Sequence, residues 1–85
     1  MTTVSVTAEH IAKGFAEDRY RCPVALAIRD AFPGAGNVSV TGMYVRVGLR
    51  EHELPVEVQR FTWNIDTGQP VEPFAFELDY PAAMA

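Results

Sequence analysis

The chain has 85 residues, of which 48% are hydrophobic and 21% charged, so it predicts one folded domain over residues 1–85 and excludes a disordered chain. Its seven basic residues are scattered among eleven acidic ones, which argues against binding to duplex nucleic acid. No apolar run approaches the ~20 residues of a membrane span, and no signal segment is evident. With only one cysteine, we expect a cytoplasmic protein without membrane association.

Four short segments alternate apolar and polar residues, as strands with one buried face do. The alternation covers residues 4–6, 38–40, 45–49 and 74–78, and the strands predicted from it cover residues 2–6, 38–40, 44–49 and about 71–78. Thr41, Gly42 and Met43 separate the middle two segments, a spacing that predicts a hairpin. Pro73 marks the last strand as an edge strand or as one that starts late.

Three helices are predicted between the strands from their capping residues and apolar spacing. They are residues 8–13 with Thr7 as N-cap and Gly14 as stop, residues 23–32 with Cys22 as N-cap, and a helix with Pro55 at its first position that ends near Asp66. The second helix ends at the turn formed by residues 33–36. Residues 50–53 are interpreted as a charged loop, and residues 80–85 as a flexible tail.

These elements predict an α+β two-layer sandwich, with helices on one face of a four-stranded, mainly antiparallel sheet in the order β-α-α-β-β-α-β. The other face of the sheet would be rich in small and hydroxyl-bearing side chains and poor in charge. It would carry Ser5, Thr41, Tyr44, Arg46, Arg50, Ala75 and Glu77. Because the core is small and this face is uncovered, we expect a homo-oligomer.

Two groups of residues could bind a nucleotide-type ligand. The first precedes the N-terminus of the second helix, where backbone N–H groups attract anions, and the second shares the outer sheet face. They are Arg19, Tyr20 and Arg21, and Tyr44, Arg46 and Arg50. Tyrosine rings could stack on a base while guanidinium groups hold a phosphate. Ordinary surface arginines and packed tyrosines would give the same pattern.

Two other functions remain open. Trp63 and Phe61 straddle the third helix, so one of them points away from the core, and an exposed Trp63 together with Met43 would suit a protein interface. Cys22 at a helix N-cap could become a nucleophile through a lowered pKa, with His10 or His52 as base. No triad, zinc-ligand spacing or phosphate loop accompanies it, so we expect neither enzyme activity nor a metal or other cofactor.

Several local motifs extend over nearly the whole chain: His10-Ile11-x-x-Gly14, Cys22-Pro23-Val24-Ala25-x-Ala27, Leu54-Pro55 and Asp66-x-Gly68-x-x-Val71-x-Pro73-Phe74-x-Phe76-x-Leu78. In these the chain resembles a group of short hypothetical proteins encoded by bacteriophages and actinobacteria, which has no assigned activity. The resemblance implies a phage accessory protein that antagonises a host system in the host cytoplasm. Such a protein would sequester a nucleotide-type signal or block a host protein.

Overall fold

A computed structural model of the chain describes residues 2–34, 36–48 and 50–78. Its elements are β1 (Thr2–Val6), α1 (Ala8–Lys13), α2 (Pro23–Ala31), β2 (Val38–Val40), β3 (Tyr44–Val47), β4 (Arg50–Glu53), α3 (Val56–Asp66) and β5 (Phe74–Leu78). The α+β class with antiparallel strand pairing agrees with the sequence prediction. Three predicted features, the turn residue Ala35, the strand end at Leu49 and the tail over residues 80–85, lie outside the described residues.

The strands form two antiparallel sheets, so the expected single four-stranded sheet is wrong. One sheet has the order β1-β5 and the other the order β2-β3-β4. The outer strands of the larger sheet are β2 and β4, so a further strand would have to join at one of these two edges. At the edge of β2, the backbone N–H of Val40 donates to the carbonyl of Arg19 at 2.7 Å. A loop therefore occupies part of one of the two edges.

The second correction concerns residues 50–53, which form strand β4 rather than a charged loop. Val47 pairs with Arg50 and Arg46 pairs with Glu51 across β3 and β4. Gly48 begins the connection between these strands with a φ of 63°, a conformation that favours glycine. Because β4 contains no aliphatic residue, its strand structure comes from pairing with β3 and leaves no alternation to recognise.

The helix ends follow the predicted caps closely. The Thr7 hydroxyl accepts from the His10 backbone N–H, and His10 Nδ1 accepts from the Thr7 backbone N–H at 3.0 Å, which makes a reciprocal cap for α1. Cys22 caps α2 ahead of Pro23, as predicted. Pro55 is the N-cap of α3, one residue before the helix position predicted for it. β5 begins directly after Pro73, in agreement with a late start.

Both sheets share one core, because α2 packs against β1 and β2 while also contacting α1. The valines that alternate along the strands are buried, as predicted, together with Phe76 and Leu78. In the same core, the Phe61 ring of α3 contacts the Phe74 ring of β5, with centroids 4.8 Å apart. Among the described residues, the helices are all too short or too polar to cross a membrane.

Candidate ligand-binding groove

The outer face of the sheet β2-β3-β4 forms the floor of a groove of about 450 Å³. Alternation along the strands places every second side chain on this face. The groove is lined by Arg19, Tyr20, Asn37, Ser39, Thr41, Tyr44, Arg46, Gly48 and Glu51. It therefore combines two guanidinium groups, two phenol rings, three uncharged hydrogen-bonding side chains and one carboxylate.

The strand register fixes the order of side chains across the floor. Ser39, Arg46 and Glu51 stand side by side, because Ser39 pairs with Arg46 and Arg46 with Glu51. Thr41 lies beside Tyr44, since their backbones exchange hydrogen bonds of 2.8 and 3.3 Å. The floor thus runs from hydroxyl groups on the β2 side, through a cation and an aromatic ring on β3, to a carboxylate on β4.

One wall of the groove is the turn at residues 18–21. The Asp18 carboxylate accepts from the backbone N–H groups of Tyr20 and Arg21 at 3.0 and 3.1 Å, which fixes the turn locally. The bond from Val40 to the Arg19 carbonyl then attaches the turn to the edge of β2. The Asp66 carboxylate of α3 accepts from the Glu17 backbone N–H at 2.8 Å and holds the approach to the turn. These protein hydrogen bonds hold the wall in place.

The charged and aromatic groups of the groove are available for contacts. Among the residues that the structure describes, neither the Arg19 nor the Arg46 guanidinium has a hydrogen bond or an ion pair. Tyr20 is 52% exposed and Tyr44 is 41% exposed. The backbones of Arg19 and Arg46 are two strand spacings apart, about 10 Å, which two long side chains can bridge through one phosphate.

Of the six residues predicted to bind a ligand, four line the groove and two do not. Arg19, Tyr20, Tyr44 and Arg46 come together, although the sequence presented them as two separate groups. The prediction that Arg50 shares a face with Tyr44 and Arg46 is wrong. Arg50 pairs with Val47 and so belongs to the opposite side of the sheet, because the connection at Gly48 ends the strand that the alternation seemed to continue. Arg21 lies in the wall turn but outside the groove.

Four further lining side chains were not predicted as site residues: Asn37, Ser39, Thr41 and Glu51. The first three lie at every second position in and beside β2, on the face opposite to Val38 and Val40. They could have been found by extending the alternation by one residue in each direction. Thr41 was indeed expected on the outer face. Glu51 could not have been found in this way, because its position depends on the pairing between β3 and β4.

The chain matches no protein-family model, and no curated protein or solved structure is significantly similar to it. The chemistry of the groove is therefore the basis for a functional interpretation. The resemblance to phage and actinobacterial proteins stays a prediction.

Cys22 is buried at the start of α2, only 5% exposed, with its Sγ accepting from the Ala25 backbone N–H at 3.4 Å. Burial raises the pKa of this thiol, and the negative charges of Asp66 and Asp18 add to the rise against the opposing backbone hydrogen bonds. This direction is opposite to that of an activated nucleophile. His10, one of the two candidate bases, hydrogen-bonds Thr7 and Asp30 instead.

The two residues predicted for a protein interface are both exposed. Trp63 is 69% exposed on α3, whereas Phe61 faces the core, as the spacing of the helix required. Met43, in the turn between β2 and β3, is exposed as well. Within residues 2–34, 36–48 and 50–78, no group of three His, Cys, Asp or Glu side chains could hold a metal ion.

Proposed function

We propose that this protein binds a nucleotide-type anionic ligand in the groove and acts by sequestering it, without catalysis. The observation that carries the proposal is the convergence, on one concave surface, of two exposed phenol rings and two guanidinium groups that have no partner among the described residues. They come from segments more than twenty residues apart, so no local sequence feature accounts for their meeting.

The groove offers suitable contacts to the phosphate and the base of a nucleotide. Arg19 and Arg46 supply planar, permanently charged donors for a phosphate. Tyr20 and Tyr44 supply rings for stacking against a base, which depends little on the identity of that base. On the β2 side, Ser39 supplies a hydroxyl group that can donate to a phosphate oxygen, while the Thr41 hydroxyl donates to the Tyr44 carbonyl. The volume of about 450 Å³ lies within the range of small-molecule sites.

The proposed setting is that of a phage accessory protein. A small protein of this kind would antagonise a host system by lowering the free concentration of a nucleotide-type signal. Sequestration requires only a binding site and an excess of protein, which suits an 85-residue chain. We propose this setting on the resemblance alone, separately from the groove.

Arg46 and Arg50 allow a matched test, because they lie on one hairpin and point to opposite sides of its sheet. Thermal unfolding and titration calorimetry would be run with ribonucleoside 5′-monophosphates, 3′,5′-cyclic nucleotides and ADP-ribose. We expect a ligand-dependent rise in melting temperature for the wild type. Arg46→Gln should weaken binding about 10- to 100-fold through loss of a charged hydrogen bond, while Arg50→Gln leaves the affinity unchanged. The absence of any shift across the panel would contradict the proposal.

A second candidate function is a protein-blocking module that uses Trp63. The observation that favours this function is that Trp63 is 69% exposed, since tryptophan residues are common at the centre of protein interfaces. Trp63→Ala should then abolish capture of a host protein and leave nucleotide binding unchanged, whereas Arg46→Gln should do the opposite. Identical captured proteins for wild type and Trp63→Ala would count against this candidate.

A further inference from the structure

A carboxylate lines the groove that is proposed to bind an anion. Glu51 lies beside Arg46 on the floor, because the two residues are direct partners in the antiparallel pair β3-β4. The Cβ atoms of such partners are about 5 Å apart. Within the described part of the chain, the two side chains nevertheless form no ion pair. A carboxylate accepts hydrogen bonds and repels negative charge, so Glu51 opposes a phosphate near it and favours a group with hydrogen-bond donors.

The position of Glu51 across the floor indicates which part of the ligand it meets. The order from the wall is Arg19, Ser39, Arg46 and then Glu51. A phosphate held between the two arginines lies toward β2 and the wall. The groups attached to that phosphate then extend over β3 toward β4, where the Glu51 carboxylate is the neighbouring charged group.

We infer that Glu51 selects ligands with a vicinal diol, so that the ligand of the groove is a ribonucleotide rather than a 2′-deoxyribonucleotide. The two hydroxyl groups of a ribose can donate to the two oxygens of one carboxylate, and removal of the 2′-hydroxyl leaves one oxygen without its donor. A phosphate in place of the 2′-hydroxyl would face a like charge. This inference rests on the proposed function and adds the sugar to it.

Glu53 provides the matched control for Glu51. It lies two residues further along β4 and shares the outer face, but it pairs with Tyr44 and does not line the groove. Glu51→Gln and Glu53→Gln therefore remove the same charge from the same strand and face. Only the first removes the carboxylate from the groove.

The test measures dissociation constants by calorimetry for the four ribonucleoside 5′-monophosphates and their 2′-deoxy counterparts. We expect the wild type to prefer the ribonucleotide about tenfold. Glu51→Gln should bring this ratio close to one without weakening the binding of the deoxyribonucleotide, and Glu53→Gln should keep the wild-type ratio. The ratio is the decisive readout, because a purely structural role of Glu51 would weaken both ligands equally.

Each of the following results would overturn the inference. Equal wild-type binding of the two sugars, or an unchanged ratio in Glu51→Gln, would do so and leave the proposed function intact. If Glu51 is only the counter-ion of Arg46, Glu51→Gln would strengthen both ligands by the same factor, with the same consequence. If none of the monophosphates binds, the inference fails, and the proposed function then depends on the cyclic nucleotides and ADP-ribose of its own test.

Discussion

Cys22 shows how one atom serves the fold at the expense of its reactivity. Its sulfur accepts a hydrogen bond from Ala25 at the N-terminus of α2, a position that would favour a thiolate if solvent could reach it. The side chain is buried, however, and desolvation is the largest influence on its pKa, which is raised. The thiol therefore stays protonated at neutral pH and serves as a cap.

The first prediction concerns the reactivity of this thiol. Iodoacetamide at neutral pH should modify Cys22 much more slowly in the folded protein than in the chain unfolded by denaturant, as measured by mass spectrometry. Because the folded-state pKa lies above the unfolded value of about 8.5, folding stability should fall as the pH rises through and beyond that value. A folded-state rate equal to that of the unfolded chain would contradict this account and restore the nucleophile.

Arg46 and Arg50 show why half of a binding site can be predicted from a sequence. Four residues apart, they share a face on an uninterrupted strand, and the alternation from Val45 to Val47 suggested such a strand. Gly48 instead begins a reversal of the chain, and Arg50 then lies opposite Val47. Within one strand, the face on which a side chain lies depends only on its position in the alternation. This face was predicted correctly for Tyr44 and Arg46. The face of Arg50 and Glu51 depended on where the strand ended.

At the scale of the elements, α1 is held by its ends. None of its residues is buried, although Ile11 packs against the core from outside. Its N-terminus has the reciprocal cap between Thr7 and His10, and His10 Nε2 also contacts the Asp30 carboxylate of α2 at 2.6 Å. At its C-terminus, Gly14 approaches Pro23 so closely that a Cβ added to Gly14 would lie 2.6 Å from the Pro23 ring and backbone nitrogen.

The second prediction tests this approach of α1 to α2. Gly14→Ala should lower the free energy of unfolding by about 1–3 kcal/mol, because the new methyl group forces the rigid start of α2 to move. Gly42→Ala is the matched control, since a Cβ there meets no atom of the described residues within 4 Å, its chain neighbours aside. Urea denaturation of both variants measures the difference. Equal stabilities would mean that the two helices can separate at no cost.

Some secondary-structure elements are determined by contacts between residues close in sequence, and others by contacts between distant residues. Thr7, Cys22 and the turn at Gly68 mark helix ends through bonds within four residues, and the sequence predicted those ends. β4 has no such local cause, because its residues become a strand only through pairing with β3. The contact between the Arg19 carbonyl and the edge of β2 is equally non-local, because Arg19 and Val40 are 21 positions apart in sequence.

For the whole molecule, the extra strand changes the basis for expecting a homo-oligomer. The outer face of the larger sheet was expected to be poor in charge, but β4 adds Glu51 and Glu53 to it. That premise is wrong, and the smallness of the core is the remaining reason to expect self-association. Self-association stays a prediction that light scattering at several concentrations decides.

The third prediction follows from one core shared by two sheets. Val4 of β1 and Val45 of β3 belong to different sheets, yet both are completely buried in the same cluster that surrounds α2. Val4→Ala and Val45→Ala should each lower the free energy of unfolding by about 2 kcal/mol, from lost burial and the cavity left behind. Each should also weaken hydrogen-exchange protection in both sheets, because neither sheet can keep its buried face without α2. If Val4→Ala loosened only β1 and β5 while β2 and β3 kept wild-type protection, the two sheets would be separate units of stability.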